Sequence, residues 1–309
     1  MIDPITKFLW TLWPLVAVLS IEHILLVHHY HKTSSLQRLA GDLRNGSFID
    51  IVYMVIARFP WKHLRTLLMA LTVPGLLLII LGKLRVHLEW SGLLAAYQPD
   101  HYLLAFLIWL LVLDFGNYAT HWLLHNVPVL WRFHKLHHAA EELNILVGAR
   151  VSFAEKAMKD LVSFALLGLL FGVVSPQDFV YLLVVRSIID MVQHSDLPWD
   201  YGFLGYLVVG PRFHRMHHSN DARDFNANYG NIFSFWDHLF GTIAVRYKWS
   251  KDTADEVQLG LDTKQETKKF NTLSHALLHE TFVDYARQLT TRSQSLKTVQ
   301  SRKTEPRDG

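Results

Sequence analysis

The 309-residue sequence contains no cysteine. Disulfides, thiolate zinc sites, iron–sulfur clusters and a cysteine nucleophile are therefore all excluded. Charged residues are also few, at 18%, and the formal net charge is only +3, with the basic residues scattered along the chain. This charge pattern argues against a nucleic-acid partner. Any metal ion in this protein must be held by nitrogen and oxygen ligands.

Half of the residues are hydrophobic, which is rich for a soluble enzyme and ordinary for a membrane protein. Three apolar runs are long enough to cross a bilayer, namely Phe8–Val27, Thr66–Gly82 and Tyr102–Thr120. Two shorter runs, Leu161–Val174 and Phe179–Val192, are predicted to form a tilted or partly crossing helical hairpin. The mixed segment between Asn144 and Asp160 is expected along the membrane surface. The predicted fold class is an all-α integral-membrane helical bundle.

The composition divides the chain into three regions. Residues 1–100 form a predicted N-terminal transmembrane region, residues 101–250 a histidine-rich domain, and residues 251–309 a polar, partly disordered C-terminal tail. Segment 28–65 carries six lysine and arginine residues, whereas segment 83–101 carries two. The positive-inside rule then places segment 28–65 in the cytoplasm. The histidines lie on the same side if the three long runs all cross and the later hairpin returns to its starting face.

One seven-residue phrase occurs twice: Arg132 to His138 reads RFHKLHH, and Arg212 to His218 reads RFHRMHH. Each copy has histidines at i, i+3 and i+4, and His121 and His125 precede the first copy. On a helix these positions share a face, so the three rings of each copy are expected to point into one space. A lone histidine is usually a core residue, but this repetition is not a chance pattern. Eight histidines exceed the needs of one four-coordinate ion, so we predict two metal ions.

Further polar residues lie beside these histidines. His194 follows the predicted hairpin and is expected to be another ligand, and Asp190, four residues earlier, is either a ligand or the partner of one. Asp114 and Asn117 precede His121 by seven and four residues on the same helix face. A carboxylate inside a membrane helix is a functional candidate, and Asp114 is expected to accept the N–H of a ligand imidazole. The alternative is that a neighbouring helix satisfies it.

Neutral imidazoles at a bilayer surface suit a particular chemistry. They hold iron without cancelling its charge, and an iron pair can use O2 to attack an unactivated C–H bond. Lipid chains offer such bonds and little else. Composition alone leaves iron and zinc both open.

The motifs resemble the fatty acid hydroxylase/sterol desaturase superfamily of integral-membrane non-haem di-iron oxygenases. The resemblance covers roughly Asp114 to Thr242 and rests on Asp114, His121-x3-His125, Leu130-Trp131-x2-His134-x2-His137-His138, Glu142, Asn144, Arg150, Glu155, Gln193-His194, Pro211-x2-His214-x2-His217-His218, Asn228-Tyr229-Gly230 and Trp236-Asp237-x2-Phe240-Gly241-Thr242. Two positions depart from common members, because Ser152 and Asp190 stand where many of them carry histidine.

The resemblance implies that residues 101–250 are a catalytic domain that caps a transmembrane core in the cytosol. It implies hydroxylation or desaturation of a lipid with O2, and a di-iron centre for which zinc can substitute. The implied ligands, which are also the catalytic residues, are His121, His125, His134, His137, His138, His194, His214, His217 and His218. Expected supporting residues are Asp114, Asn117, Glu155, Asp190, Asn228 and Asp237.

The electrons for this chemistry must come from elsewhere. The sequence has no glycine-rich dinucleotide fingerprint, no cysteine for an iron–sulfur cluster and no sign of a fused haem domain. We therefore predict a separate reductase and a small electron carrier as partners. Sterols, fatty acyl groups, sphingoid bases, carotenoids and ether lipids are all open as substrates. A membrane zinc-binding or transport protein, or a catalytically inactive relative, is the alternative function.

Overall fold

The computed structural model describes residues 4–41, 47–58, 80–84, 86–89, 91–93, 102–171, 176–244, 257–261 and 263–272. Within these ranges the regular elements are helices, and β-structure is limited to two isolated bridges. The predicted all-α class is therefore confirmed. The predicted span Thr66–Gly82 lies almost entirely outside the described residues, as do residues 273–309 of the tail.

The α-helices of the described residues are numbered in chain order. They are α1 Pro4–Ile24 with a π-helical turn Leu25–His29, α2 Ser35–Gly41, α3 Ser47–Arg58, α4 Tyr102–Asn126, α5 Pro128–His138, α6 Phe153–Phe171, α7 Pro176–Gln193, α8 Pro211–His217, α9 Phe235–Phe240 and α10 Lys264–Phe270. Two 3-10 turns lie within the longer connections: Val147–Ala149 between α5 and α6, and Gly202–Tyr206 between α7 and α8.

Two helical stretches are long and apolar enough to cross a membrane, Leu12–His29 and Leu103–Asn126. The second is nearly all of α4, whose 25 residues extend about 37 Å. It runs beyond the predicted end at Thr120, so that His121 and His125 lie on its last two turns. A new helix begins at Pro128, because proline suits the first helical position, and the predicted break there is confirmed.

Helices α6 and α7 coincide with the two shorter apolar runs for which the sequence predicts a hairpin. Helix α6 packs along α4, and the two approach closely at Gly116, where an added Cβ would lie 2.9 Å from Cδ1 of Leu166. Ala105, Leu113 and Leu167 belong to the apolar core between these helices. Helix α6 therefore lies at a short, defined distance from the segment of α4 before His121.

The N-terminal helices pack against the segment that leads into α6. Glu22 is buried and accepts hydrogen bonds from the amide and hydroxyl of Ser35, at 3.1 and 2.6 Å. The Ser35 hydroxyl in turn accepts the amide of Ile145 at 3.1 Å. This chain of contacts anchors the loop after α5 to the first two helices.

The same loop is interior. Asn144 and Arg150 are 2% and 1% exposed, and both bond to the buried Asp50 of α3, at 2.8 and 3.5 Å. The prediction that Asn144–Asp160 lies along the membrane surface is therefore wrong. Its polar residues serve buried hydrogen bonds, which produce the same mixed sequence pattern as an interfacial helix.

Asp114 does not contact a histidine. Its carboxylate accepts the backbone amides of Ile232 and Phe233, at 2.8 and 3.0 Å, and the indole N–H of Trp236 at 3.1 Å. The prediction that it accepts from a ligand imidazole is wrong. The alternative, that a neighbouring helix satisfies it, holds for the indole of Trp236 on α9, whereas the two amides belong to the loop before that helix. Asp114 fixes the chain before α9 against α4, since the three donors are held by one buried carboxylate.

We expect the Asp114→Ala variant to lose on the order of 3 kcal/mol or more of unfolding free energy, because three buried donors lose their acceptor. Unfolding of the detergent-solubilised protein measures this loss. Asp160→Ala is the control, since it removes a carboxylate that pairs with Lys156 at a partly exposed position. Equal stability of the two variants would contradict the role assigned to Asp114.

Candidate metal centre

Nine histidines come together in two neighbouring groups. Within each group the candidate ligand atoms all lie within 4.8 Å of one another. The first group comprises His121, His125, His134, His138 and His217, and the second comprises His137, His194, His214 and His218. All are buried except His125, which is half-buried. Two groups of this size correspond to the two metal ions that the sequence predicts.

Each copy of the repeated phrase contributes to both groups. In the first copy His134 and His138 enter the first group, whereas His137 enters the second. The second copy does the reverse, because its outer two histidines enter the second group and His217 enters the first. Positions i and i+4 of a helix differ by about 40° in direction, while i+3 points about 60° to the other side. The expectation that all three rings of one copy face one space is thus wrong for the individual groups.

The imidazole Nε2 atoms converge closely. Nε2–Nε2 distances of 2.9–3.3 Å join His121 with His134, His138 with His217, His137 with His194, His194 with His214, and His214 with His218. Metal–nitrogen bonds of about 2.1 Å at right angles would put neighbouring ligand atoms about 3 Å apart. The spacing of these nitrogens therefore fits ligand shells around metal ions.

Backbone carbonyls orient three of the rings. Through Nδ1–H, His121 donates to Tyr229 at 2.8 Å, His217 to Ala227 at 2.8 Å and His194 to Asp190 at 2.6 Å. A carbonyl oxygen can only accept, so the proton resides on Nδ1 and the lone pair of Nε2 faces the group. These contacts select the tautomer that can bind a metal.

The carbonyls of Ala227 and Tyr229 belong to the loop before α9. The sequence did not predict that the backbone of this loop orients ligand rings. Asn226 and Asn228 both have positive φ, 57° and 59°, on either side of Ala227. Asparagine adopts this left-handed conformation more readily than most residues. The alternating asparagines are the signal that could have marked the loop, although a carbonyl carries no residue signature of its own.

Glu155 orients a fourth ring. Its carboxylate accepts Nδ1–H of His134 at 2.9 Å and pairs with the Lys159 ammonium at 2.6 Å. Burial would raise the pKa of Glu155, but its contacts with His134 and Lys159 lower it to about 2. The Ser152 hydroxyl accepts the amide of Glu155 at 3.2 Å and caps the start of α6. Glu155 is thus a carboxylate held in place, as a ligand-orienting residue must be.

Asp190 does not join either group. Its carboxylate lies over Gly148, where an added Cβ would be 1.9 Å from Oδ2, and it accepts Nε2–H of Gln193 at 3.2 Å. The nearest approach of a carboxylate oxygen to His194 is 3.8 Å, at Nδ1 on the side away from the group. The geometry therefore gives Asp190 a supporting place and not the place of a ligand.

Asp237 acts on the site through the backbone. It accepts the amides of Tyr229 and Gly230, at 2.8 and 2.7 Å, and the Thr242 hydroxyl at 2.6 Å. Burial raises the pKa of Asp237 to about 7. Because the carbonyl of Tyr229 orients His121, Asp237 holds that acceptor in position.

The remaining two expected supporting residues also bind backbone groups. Asn228 donates to the carbonyl of Phe213 at 3.0 Å and accepts the amide of Ala244 at 2.8 Å, which ties α8 to the chain after α9. Asn117 donates to the carbonyl of Leu113 at 2.8 Å, and its own oxygen has no partner among the described residues. Neither side chain contacts an imidazole of the two groups.

Burial keeps the imidazoles neutral. Outside the candidate span of α4 it lowers the pKa of His134, His137, His138, His194, His214, His217 and His218, that of His217 to about 3. Seven buried neutral rings carry free nitrogen lone pairs near pH 7, and neutral imidazole is the form that binds metals. The residues present therefore fit a pair of metal ions.

A cavity of about 340 Å³ opens onto both groups. Five of the nine histidines line it, together with apolar side chains such as Leu146, Leu183 and Met191. Its volume suits part of a small molecule or a segment of an alkyl chain. A reactant in this cavity would lie directly beside the histidines.

Residues 106–242 match the family described as Fatty acid hydroxylase. The chain is 34% identical over 148 residues to ornithine lipid hydroxylase OlsE of Rhizobium tropici, covering 47% of this chain and 44% of that protein. It is 33% identical over 146 residues to cholesterol 25-hydroxylase of Mus musculus, covering 44% and 46%. It is 29% identical over 129 residues to alkylglycerol monooxygenase of Xenopus tropicalis, covering 42% and 28%. The chain thus spans less than half the length of these relatives, and no solved structure matches it.

Replacement of Glu155 by glutamine tests the orienting contact. We expect the first histidine group to bind a divalent transition metal about 10–100-fold more weakly, because His134 loses its charged acceptor. Competition between the protein and a chelator for Co(II) measures the affinity. Glu142→Gln is the control, since that carboxylate is 65% exposed and pairs with Arg38 at 3.1 Å, away from both histidine groups. Unchanged affinity in Glu155→Gln would remove Glu155 from the site.

Proposed function

Residues 106–242 belong to the fatty acid hydroxylase family, and from this premise we propose that the chain is a membrane-bound, O2-dependent lipid hydroxylase. The observation that carries the proposal is the gathering of nine histidines into two groups with converging Nε2 atoms. We assign one iron ion to each group, with the five histidines of the first group and the four of the second as the ligands of their respective ions. Zinc can substitute in either group, because imidazole binds both metals.

The relatives narrow the class of substrate. Their names specify an ornithine lipid, alkylglycerol and cholesterol, which share apolar hydrocarbon and differ in the polar group. The names also share hydroxylation or monooxygenation, so we propose a hydroxyl group as the product in preference to a double bond. A lipid C–H bond is thus the reaction centre.

When bound, an iron pair supplies the activation of O2 that attack on an unactivated C–H bond requires. The chain's own part is to orient the ligands and exclude water. Tyr229, Ala227 and Asp190 hold three rings through their carbonyls, and Glu155 holds a fourth. The cavity beside the histidines holds the lipid carbon against the site.

Hydroxylation with O2 consumes two electrons from outside, because one oxygen atom enters the lipid and the other leaves as water. We propose that a separate reductase delivers them through a small electron carrier. A carrier would reach the site from the cytoplasm, because we assign to that side the end of α4, whose last two turns carry His121 and His125.

The exposed surface supports immersion of the domain in lipid. Leu103, Leu107 and Leu111 form an exposed apolar stripe along α4. Further along α4, the rings of Phe115 and Tyr118 contact the Phe240 ring of α9. The neighbouring Leu239 of α9 is 67% exposed. Helix α9 therefore continues the apolar stripe of α4 instead of interrupting it, which is the surface that a bilayer would cover.

The rest of the topology follows the sequence. We propose a multi-pass protein with an N-terminal transmembrane region over residues 1–100, a catalytic domain over 101–250 and a polar tail over 251–309. The histidine site faces the cytoplasm in this arrangement. The charge difference between segments 28–65 and 83–101 supports this orientation.

Single substitutions in each group test the di-iron proposal. We expect purified wild-type protein, reconstituted with Fe(II) without oxygen, to hold about two iron ions per chain, and His125→Ala and His214→Ala to hold about one each. Elemental analysis measures iron, and mass spectrometry of lipid extracts measures O2-dependent hydroxylation, which both variants should lose. His28→Ala is the control, because that ring is exposed and belongs to neither group.

Two outcomes would overturn the proposal. Normal lipid oxidation by either group variant would show that the histidines are not the reaction site. Retention of zinc alone by folded wild-type protein after Fe(II) reconstitution would favour a zinc-binding protein or an inactive relative.

The lack of cysteine allows a direct test of orientation. We expect Glu89→Cys to react with a membrane-impermeant maleimide in intact cells, and Arg223→Cys to react only in inverted vesicles, because the two segments are assigned to opposite sides. Both side chains are exposed, and the parent chain supplies a cysteine-free background. Labelling of Arg223→Cys in intact cells would reverse the orientation.

A further inference from the structure

Arg186 lies in the middle of an apolar stretch of α7, with Leu183, Val184 and Val185 before it and Ile188 and Ile189 after Ser187. It is half-buried and lines the cavity beside the histidines. A cation in such a helix is costly unless an anion or water-filled space compensates it. Its presence inside the cavity therefore requires a functional account.

The cavity contains two further cations, and both have carboxylate partners. Lys159 pairs with Glu155 at 2.6 Å, and Lys156 pairs with Asp160. Arg186 forms no hydrogen bond or ion pair with any part of the chain that the structure describes. Its guanidinium is thus the cavity cation left for a bound molecule.

The carboxylates near Arg186 are committed elsewhere. Asp114 is near enough for its charge to interact with that of Arg186, but its oxygens accept two amides and an indole N–H. Asp190, one turn further along α7, rests on Gly148 and accepts from Gln193. Neither forms an ion pair with Arg186 among the described residues.

Two amide oxygens also lack partners in this cavity. Asn117 and Gln193 are 2% and 0% exposed, and Oδ1 of the first and Oε1 of the second have no partner among the described residues. Their NH2 groups already donate to the Leu113 carbonyl and the Asp190 carboxylate, so the oxygens cannot exchange places with the nitrogens without placing oxygen against oxygen. These oxygens are acceptors for an N–H or O–H of a bound molecule.

We propose that the substrate is an anionic lipid, and that Arg186 binds its carboxylate or phosphate group within the cavity while Asn117 and Gln193 accept from its N–H or O–H groups. This inference rests on the proposed lipid hydroxylase function and deepens it. Guanidinium binds carboxylate and phosphate through paired hydrogen bonds, which an ammonium group does not match. The neutral polar groups alone would serve an uncharged lipid and would not require the arginine.

The helix also sets a distance between the anion and the reaction site. Arg186 precedes His194 by eight residues on the cavity face of α7, which corresponds to roughly 12 Å along the axis. The anionic group is therefore held away from the metal ligands, and a carbon further along the lipid lies beside them. Arg186 selects the lipid and positions the carbon that is oxidised.

Equilibrium binding of three lipids with the same oleoyl chain tests the proposal. N-oleoylglycine carries a carboxylate, oleoyl lysophosphatidic acid carries a phosphate, and 1-oleoylglycerol is neutral, while all three carry N–H or O–H donors. We expect wild-type full-length protein to bind at least one anionic lipid about 10–100-fold more tightly than the neutral one, and Arg186→Gln to lose that preference. The anionic lipid that is preferred identifies the head group.

Three variants complete the design. Arg212→Gln is the charge-matched control, since Arg212 lies outside the cavity and pairs with Asp200 at 3.4 Å, and it should keep the preference. Arg186→Lys should keep part of it. Arg186→Glu should instead favour oleoylamine, a gain that loss of folding cannot imitate.

Equal binding of anionic and neutral lipids by wild-type protein, or an unchanged preference in Arg186→Gln, would overturn the inference. The measurement needs no iron and no turnover. If anionic binding depends on Arg186 but the reconstituted protein oxidises no lipid, the hydroxylase proposal fails and the binding site stands. If the reconstituted protein oxidises a lipid but shows no preference for anionic lipids, the hydroxylase proposal stands and the anion-binding inference fails.

Discussion

The constraint on which the structure depends is the convergence of nine neutral imidazoles, with Nε2 atoms about 3 Å apart, in a buried space. Each ring must lose contact with water and keep its proton away from the centre, and four of the nine rings are held by a neighbour that accepts that proton. Four such acceptors come from different places in the chain: the carbonyls of Ala227 and Tyr229, the carbonyl of Asp190, and the carboxylate of Glu155. No single helix could supply them, so α6, α7 and the loop before α9 must all meet α4.

Helix α4 connects the membrane region to this centre. Its first turns expose apolar side chains, its middle binds α6 closely at Gly116 and the chain before α9 through Asp114, and its last turns carry His121 and His125. Asp114 in the middle of α4 therefore aligns a neighbouring segment, and the last turns of α4 carry the first two candidate ligands. The N-terminal helices contribute from the other side, because Ser35 and Asp50 anchor the loop that leads into α6.

The charged residues of the cavity divide into those that support the metal ligands and one, Arg186, that is available to bind a lipid. Glu155 and Lys159 neutralise each other while Glu155 orients a ligand, and the Asp190 carboxylate lies beside Gly148 and accepts a hydrogen bond from Gln193. Arg186 forms no hydrogen bond or ion pair with the described residues, although it lies in an apolar helix where an unpaired cation is costly. A protein that oxidises apolar chains must still tell one lipid from another, and the polar group is the part of a lipid that differs most. A cation some distance from the metal ligands meets that need without disturbing them.

Hydrophobic runs, the break at Pro128 and the repeated HxxHH phrase determine from the sequence alone the helical class, the membrane association and the identity of the histidine clusters, because each depends on local spacing and composition. The tertiary structure decided what spacing cannot. Adjacent positions of one phrase serve different groups, since i+3 and i+4 diverge around a helix and a second helix must complete each group. Asp114 binds backbone amides and Glu155 binds a ligand ring, although both are buried acids, because the partner of a carboxylate depends on which distant segment folds against it. The carbonyls that orient His121 and His217 have no residue signature at all, so only the path of the chain could reveal them.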